Sequence, residues 1–562
     1  MEKKALIAIA LSILVLLVFG YFNERRSAEE ARRRPPVAKP ASATPPAELQ
    51  PLPASPPAAE KPDQAVVLRP EDTVATEQSI VIDGPLYRAV VDNRGGFLTS
   101  WKLKKHKDDQ GKDFEMVAAS HYPESRPYPG ALVLADATLN WLANGELYEP
   151  AIENSEGSGT DLIPPATVRL RLRRGDLVIE KSYEFHRDNY LVDLQVSIRK
   201  DSKPVAARAL LGQDIGPERE HLIDPSLKLR AIYNQGGKIN RNGPPEEANQ
   251  VRRIEGDVRW VGLDMHYFCI IAIPHRPLAA FEVQKKPVKT TGLDGKEIAR
   301  DLLPLTIPIE DRLALKMFVG PKEQDSLNAV KDADLSEVID FGMFSFLVRP
   351  LLFSLKWIVR YVHNYGWAII ILTLLLTLLL FPFRLKQMVS MKKMAVVQPK
   401  VKEIQEKYKR YKKTDPRRAQ MNQEVMALYK EHNVNPLGGC LPLLLQMPLL
   451  FAFYQLLASS IELRHAPYMG WIRDLSTKDP YYVLPIVMGI TMLISQRMTP
   501  MTPGADPMQT RMMMMMPVVF TFMFLNVSSG LNLYFLCSNI FQVGFQKVAE
   551  RWINDGKPAS KG

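Results

Sequence analysis

The chain has 562 residues and carries 72 Lys and Arg against 61 Asp and Glu, a formal net charge of +11. This length suggests several domains, and the apolar residues are concentrated in a short N-terminal block and a long C-terminal block. Three cysteines without a CxxC pair exclude a disulfide framework. Much of the positive charge lies beside apolar segments, as expected for cytoplasmic loops that meet anionic lipid, so it requires no nucleic acid partner.

The N-terminal 65 residues predict a membrane anchor and a linker. Residues 1–23 are an apolar segment after Lys3 and Lys4 that lacks the small-x-small site of a cleaved signal peptide, so we predict an uncleaved signal-anchor transmembrane helix. Residues 24–65 are rich in proline and alanine, a composition that cannot build a core and is typical of an extended, semi-rigid linker.

Residues 66–334 predict an all-β domain. Apolar residues alternate with polar ones at 168, 170 and 172, and again at 194, 196 and 198. Such runs, separated by Gly, Pro and Asn, indicate an antiparallel sandwich whose sheets have one buried and one solvated face. The histidines of this region are scattered, without nucleophile motifs or metal-ligand spacing, so surface or core histidines are favoured and no metal site is predicted.

The helical period returns near residue 335. We predict that residues 335–361 form an amphipathic helix in the membrane interface, with a connector packed on the β domain as the alternative. Residues 362–546 contain five apolar segments, which with the anchor make six transmembrane helices: 362–381, 437–457, 481–495, 512–527 and 531–544. The last three are shorter than the ~20 residues that cross a bilayer, which predicts local thinning or polar helix ends within it. A short basic tail, 547–562, follows.

Residues 384–436 predict an antiparallel helical hairpin, broken at Asp415-Pro416. Apolar side chains at alternating spacings of three and four form a two-helix seam: Met394, Val397, Val401, Ile404, Tyr408 and Tyr411, with Met421, Val425, Leu428 and His432 on the return helix. Fourteen Lys and Arg against five Asp and Glu give residues 384–432 a net charge of +9. The hairpin is therefore predicted to be cytoplasmic, with both termini inside and the β domain outside. The arginines after the anchor, taken alone, favour the opposite orientation, but the larger charge of the hairpin outweighs them.

The basic surface of the hairpin has two interpretations. It is either a docking surface for a ribosome, a targeting factor or anionic lipid, or a solvated face that only fixes the topology. The candidate docking residues are Lys407, Arg410, Lys412 and Lys413.

Several motifs together resemble the YidC membrane protein insertase family of bacterial inner membranes, in its Gram-negative form with a large periplasmic domain. In the helical region they are Asn435-Pro436-Leu437-Gly438-Gly439-Cys440, Leu445-Gln446-Met447-Pro448, Asp479-Pro480-Tyr481-Tyr482, Asp506-Pro507-Met508-Gln509 and Ser529-Gly530-Leu531. In the β domain they are Asn93-Arg94-Gly95-Gly96 and Arg187-Asp188-Asn189-Tyr190. The resemblance covers the whole chain.

The resemblance implies a β-supersandwich periplasmic domain and a five-helix insertase core with a hydrophilic groove that is open to the cytoplasm and lipid. It implies a chaperone and insertase that moves short polar segments of nascent membrane-protein clients across the inner membrane, alone or with the Sec translocon. No covalent chemistry, enzymatic activity or cofactor is implied. By the same resemblance, Thr373, Tyr534 and Phe535 contact clients, with ordinary packing as the alternative for the two aromatics.

The resemblance also predicts a departure in the groove. Family members carry an arginine five residues before the proline that ends the first core span, but here, with Pro382 as that proline, the position is Thr377. Arg384 follows Pro382 and is not expected to reach mid-span. We therefore expect an uncharged groove polarised by Thr373, Thr377, Gln446, Asn526 and Asn532, since polar side chains in spans face a wet interior. Hydrogen bonding between helices is the alternative for the three amides.

Two other functions remain open from the sequence. A secondary transporter of a small solute would show paired broken helices and an internal repeat, neither of which is evident. A sugar-modifying envelope enzyme would require a carboxylate or histidine constellation in the β domain, and none is found in the sequence.

Overall fold

The structure, a computed structural model, has two compact units: the first ends at Asp340 and the second begins at Phe341. The short segment Ser459–Glu462 belongs to the first unit. The predicted anchor (1–23), the linker (24–65) and the motif at 435–440 lie outside the described residues. The structure describes residues 72–108, 110–117, 128–157, 159–216, 229–291, 297–331, 333–409, 411, 415–432, 441–498 and 507–555.

The first unit is built from β-strands. In its described residues the strands are β1 Ser79–Asp83, β2 Tyr87–Asp92, β3 Phe97–Lys107, β4 Asp113–Glu115, β5 Leu132–Val133, β6 Glu149–Glu153, β7 Asp161–Leu162, β8 Ala166–Arg174, β9 Leu177–Phe185, β10 Leu191–Lys200, β11 Lys203–Pro204, β12 Ala207–Gly212, β13 Arg230–Gln235, β14 Lys238–Asn242, β15 Val251–Asp264, β16 Phe268–Pro274, β17 Leu278–Gln284, β18 Lys286–Thr291, β19 Glu297–Leu302, β20 Leu305–Ile309 and β21 Arg312–Pro321. Two short helices complete the unit, α1 Ala137–Gly145 and α2 Gln324–Asn328.

These strands form two main sheets that pack on each other. The small sheet has the order β4-β3-β2-β1-β7, and the main path of the large sheet is β5-β12-β20-β17-β15-β16-β21-β10-β9-β8-β6. Pairing is antiparallel except between β1 and β7. Aromatic pairs join the sheets: Phe114 of β4 stacks on Phe268 of β16 at 3.9 Å, and Trp101 of β3 lies 6.2 Å from Phe185 of β9. The predicted β-sandwich is confirmed in this sense.

The predicted alternation of buried and exposed residues is confirmed in some strands and wrong in others. Val168, Leu170 and Leu172 of β8 are buried, while the arginines between them are mostly exposed. By contrast, β12 is buried along its whole length, and β16 everywhere except its last residue. The expectation of one solvated face per sheet fails there because these strands are covered on both faces.

A buried lysine ties the two sheets together. Lys181 of β9 donates from Nζ to the carbonyl oxygens of Gly95 (2.6 Å) and Gly130 (2.8 Å), and Tyr183 Oη donates to Gly96 O. These glycines have positive φ, and Lys181 is 1% exposed. Burial lowers the pKa of Lys181 to about 7, because desolvation penalises the ammonium form.

This lowered pKa predicts that the β unit becomes more stable as the pH rises from 7 towards 10.5. In that window the unfolded chain keeps a proton on Lys181 that the folded chain has released, so raising the pH favours folding. Between pH 7 and pH 9 the gain is about 2 kcal/mol. Hydrogen exchange of the β9 amides in the full-length protein, followed as a function of pH, measures this gain in stability. Lys181→Met should remove most of this slope and Lys200→Met, an exposed lysine of β10, should keep it; equal slopes in both variants would contradict the assignment.

The second unit is helical. Its helices in the described residues are α3 Ser345–Val362, α4 Tyr365–Lys407, α5 Arg417–Glu431, α6 Leu441–Ser459, α7 Val483–Met498, α8 Pro507–Phe524 and α9 Ser529–Asp555. Between α3 and α4, His363 has a left-handed backbone, and the Asn364 side chain accepts from Trp367 N at 3.2 Å. This cap explains why two long helices are separated by only two residues.

Helix α4 continues past a predicted span end. It runs without interruption through Pro382 and Pro399, so Pro382 does not end the helix, and residue 384 lies inside it. The point at which the span leaves the membrane stays a prediction. A proline in a helix interior removes one backbone hydrogen bond and can kink the helix without ending it. Helix α9 likewise continues past residue 547, where the tail was predicted to begin.

Two helical segments in the described part are long and apolar enough to cross a membrane: Gly342–Val362 and Tyr365–Leu385. Three shorter apolar helices follow, Met447–Ser459, Val483–Arg497 and Met514–Phe524. The first long segment contains most of the predicted interfacial helix. The interfacial arrangement and the count of six spans therefore stay predictions.

The predicted hairpin is confirmed for the described residues. Met394, Val397 and Val401 of α4 form a buried cluster with Val425 and Tyr429 of α5, and Ile404 and Leu428 pack against it. Tyr408 Oη donates to Glu424 Oε1 at 2.7 Å, and Lys400 Nζ lies 3.2 Å from His432 Nε2, which makes the pair antiparallel. Tyr429 belongs to the seam but was not predicted.

Candidate functional site

The candidate site begins on one face of α4. Thr373, Thr377 and Arg384 are spaced by four and seven residues. At 100° per residue, eleven residues from Thr373 to Arg384 return to within about 20° of the starting direction. Because the helix continues through Pro382, the arginine stays on the face of the two threonines.

A cavity lies between this face, α6 and α9. Thr373, Thr377 and Arg384 line it from α4, Leu449 lines it from α6, and the other lining residues are Leu376, Leu380, Tyr534 and Ser538. The cavity is small, with a volume of about 10 Å³, and it is partly continuous with solvent. The expectation of an uncharged groove is therefore wrong: a cation from Arg384 reaches the same cavity as Thr373 and Thr377. Ser538, one helical turn after Tyr534, was also missed.

The two threonines present acceptor oxygens rather than free donors. Thr373 Oγ1 donates to Ile369 O at 2.6 Å, and Thr377 Oγ1 donates to Thr373 O at 2.7 Å. Each hydroxyl proton is thus used within α4, while the oxygen lone pairs remain available. The Arg384 side chain lines the same space, so the cavity combines a positive charge with hydroxyl acceptors.

The two predicted client-binding aromatics have different surroundings. Tyr534 is buried and lines the cavity, and its ring stacks on Phe453 with centroids 4.1 Å apart. Phe535, the next residue, does not line the cavity; its ring meets Phe524 edge-on at 4.7 Å. The geometry therefore supports Tyr534 as a cavity residue, and Phe535 as a packing residue between α8 and α9.

Two of the three predicted amides, Asn532 and Asn526, do not line the cavity. Asn532 is fully buried, and its Nδ2 donates to Phe524 O (3.2 Å) and Val527 O (3.1 Å), which satisfies carbonyls that the end of α8 leaves open. Asn526 is exposed in the turn between α8 and α9. Both are corrections to the predicted groove. Gln446 lies on α6, but its side chain is outside the described part of the structure.

Comparison with known proteins identifies the family. Residues 79–354 match the family described as "YidC periplasmic domain", and residues 357–556 match the one described as "60Kd inner membrane protein". A protein named "Membrane protein insertase YidC" from Syntrophus aciditrophicus is 36% identical, covering 97% of this chain and 99% of the relative. The chain belongs to the YidC membrane protein insertase family. Proteins of the same name from Geotalea daltonii and Geobacter metallireducens are 34% and 35% identical over the full length of both chains.

A solved "Active YidC insertase" is also similar, over 84% of this chain and 93% of that chain, at 15% identity and a TM-score of 0.35. That similarity is too low to support the details of the fold. Family membership does place this chain among insertases and inner membrane proteins. It does not favour the solute transporter or the sugar-modifying enzyme that the sequence left open.

Two YidC-like motifs meet at one end of the helices. Asp479 is 1% exposed; its Oδ1 accepts from Trp471 Nε1 and Tyr481 N, both at 3.0 Å, and its Oδ2 accepts from Leu484 N at 2.8 Å. The loop before it bonds the start of α9, where Gly530 N donates to Leu475 O at 2.9 Å. The Asp-Pro-Tyr-Tyr and Ser-Gly-Leu motifs therefore fix α7 and α9 beside each other.

Only one predicted docking cation is described. Lys407 is exposed, with Nζ 3.4 Å from Glu424 Oε1 and 5.3 Å from the centre of the Tyr408 ring. Arg410, Lys412 and Lys413 lie outside the described residues. The docking surface therefore stays a prediction.

Proposed function

We propose that this chain inserts proteins into the bacterial inner membrane by holding the polar segment of a client against the polar residues that line the cavity between α4, α6 and α9. The observation that carries this proposal is the convergence of Thr373, Thr377, Arg384, Tyr534 and Ser538 on one space within apolar helices. The apolar part of the client would meanwhile enter the lipid beside these helices. No bond is made or broken, so the protein acts as an insertase and chaperone and not as an enzyme.

Physical chemistry supports this role. A charged residue at the centre of a bilayer costs about 2.5–3.5 kcal/mol on insertion scales, because hydrocarbon offers it no partners. A cavity lined by a guanidinium, hydroxyl groups and water replaces part of that lost hydration. The barrier for moving a short polar segment is lowered accordingly, and acidic segments gain most since Arg384 carries the opposite charge.

We extend the proposal to topology. The protein would have six spans counting the anchor, α3 in the outer interface, both termini and the hairpin in the cytoplasm, and the β unit in the periplasm. The +9 charge of residues 384–432 supports the cytoplasmic side. Exposed aromatics on α3 support an interfacial position, since such rings favour the headgroup region: Phe346, Phe353, Trp357 and Tyr361.

The partners proposed are nascent membrane-protein clients, the Sec translocon, anionic lipid, and a ribosome or targeting factor that docks on Lys407, Arg410, Lys412 and Lys413. The basic charge of the hairpin and the exposure of Lys407 support the docking surface. A folded seam of apolar side chains makes the hairpin a rigid arm able to present that surface.

Reconstitution tests the proposed function. The purified full-length protein in liposomes should insert a small two-span client, measured by protection of its translocated segment from protease, above the level of empty liposomes. The triple variant Thr373→Val, Thr377→Val, Ser538→Ala should lose most of this activity, because apolar walls expel water from the cavity. Each single change should do little.

A matched control separates cavity polarity from helix packing. Thr491→Val with Thr521→Val removes hydroxyls that donate to Met488 O and Pro517 O, both at 2.8 Å, outside the cavity. This double variant should insert normally. A triple cavity variant that is folded and still inserts at the wild-type rate would refute the groove mechanism.

A further inference from the structure

A second cluster of reactive side chains lies in the β unit, on the hairpin of β9 and β10. Glu184 is near the end of β9, His186 follows that strand, and Asp193 lies in β10 directly opposite Glu184. One ligand atom from each of the three lies within 4.8 Å of the other two. The family resemblance and the proposed function assign no role to this cluster.

The carboxylates of this cluster are only partly paired within the described residues. Two carboxylates directly opposite each other on neighbouring strands repel. Asp193 Oδ2 lies 3.2 Å from His186 Nε2, whereas Asp193 Oδ1 is buried and has no hydrogen-bond partner among the described residues. A buried carboxylate oxygen without a partner is unusual in a folded protein and calls for a ligand or an ion.

The hairpin also holds these groups in place. Buried Tyr87 donates from Oη to the backbone oxygen of His186 at 2.8 Å, which fixes the chain where the imidazole branches off. Asn189 Oδ1 accepts from Leu191 N at 3.0 Å and closes the turn. Because the ligand residues project from a paired β-hairpin, only small rotations of their side chains are needed to close around an ion.

We propose that Glu184, His186 and Asp193 bind one divalent transition-metal ion of the zinc class. Imidazole and carboxylate ligands at about 2.0–2.2 Å suit zinc, with water completing a tetrahedron. Magnesium and calcium prefer sites made entirely of oxygen, so an imidazole disfavours them. This inference reverses the sequence expectation of no metal site, because the carboxylate of Asp193 joins the other two ligands only through strand pairing.

One positively charged side chain lies next to the cluster of Glu184, His186 and Asp193. Lys316 of β21 lies opposite Asp193 on its other side, so the cluster has two carboxylates against one ammonium before any ion binds. The ammonium reduces the affinity for a cation without supplying a partner for Asp193 Oδ1. A bound ion would join the ends of β9 and β10 and stabilise the hairpin against opening.

Zinc titration of the full-length, tag-free protein in detergent tests the proposal, with competition against a chromogenic chelator as the readout. The wild type should bind one zinc ion that His186→Ala and Asp193→Asn each bind at least about tenfold more weakly. Asp193→Asn keeps the shape of the side chain, so it remains informative if His186→Ala fails to fold. His275→Ala, which removes an exposed histidine outside the cluster, should bind like the wild type.

Three outcomes would overturn the site. The wild type could bind no zinc, the folded cluster variants could match its affinity, or magnesium could bind as tightly as zinc. The assay is independent of insertion activity, so its failure leaves the proposed function of the cavity untouched.

Discussion

Replacing Arg384 with alanine is expected to slow the insertion of clients with acidic translocated segments by about 10- to 100-fold, while the protein remains folded. Each 1.36 kcal/mol of barrier is a factor of ten in rate, and a central charge costs about 2.5–3.5 kcal/mol in hydrocarbon. Arg384 is the cation that lines the cavity, so its loss removes most of the compensation for an acidic group. Protease protection of the client in proteoliposomes gives the rate.

The charge of Arg384, rather than its bulk, should cause this effect. Arg384→Lys should keep most of the activity, and clients whose translocated segment is basic should not be slowed by Arg384→Ala. Arg497→Ala removes an exposed arginine from the last turn of α7 and should insert at the wild-type rate. Equal slowing of acidic and basic clients would mean that Arg384 supports packing and not electrostatics.

Arg384 also shows where the sequence argument went wrong. Treating Pro382 as the end of a span broke the helical phase, so the arginine two residues later was placed outside the groove. With the helix continuous, the same spacing puts it on the face of Thr373 and Thr377. The spacing was visible in the sequence; the continuity of the helix through Pro382 was not.

The wrong placement of Asn526 and Asn532 in the groove has a different cause. The rule that polar side chains in spans face a wet interior does not separate a cavity from a helix end. Asn532 is buried because it binds carbonyls at the end of α8, and Asn526 lies in the turn that follows α8. Local patterns could not distinguish these roles, since both depend on where α8 ends.

Local periodicity succeeded where neighbours in sequence are neighbours in space. The hairpin seam and the alternation in β8 follow from spacings of three, four and two residues. Long-range pairing could not be read in this way: β12 pairs with β20 almost one hundred residues later. Which strands are covered on both faces then depends on the elements that pack on the assembled sheet, and local spacing does not reveal them.

Asp479→Ala is expected to destabilise the helical unit by at least about 2–4 kcal/mol. The change leaves the Trp471 indole N–H and the backbone N–H groups of Tyr481 and Leu484 without their buried acceptor. Hydrogen bonds to a charged group contribute ~1.5–3 kcal/mol each, and orphaned buried donors add a penalty. The start of α7 should loosen from α9, and insertion should fall with the folded fraction.

Thermal unfolding of the full-length protein in detergent measures this loss, which corresponds to a drop in melting temperature of about 5 °C or more. Asp479→Asn keeps one carbonyl acceptor and should fall between the alanine variant and the wild type. Asp415→Ala is the matched control, since it also removes an aspartate that precedes a proline at a helix start. Within the described residues Asp415 bonds the backbone and side chain of Arg417, at the exposed tip of the hairpin, so its removal should barely move the transition. Equal shifts for Asp479→Ala and Asp415→Ala would show that Asp479 is an ordinary helix cap, and that the junction between the two motifs does not depend on its carboxylate.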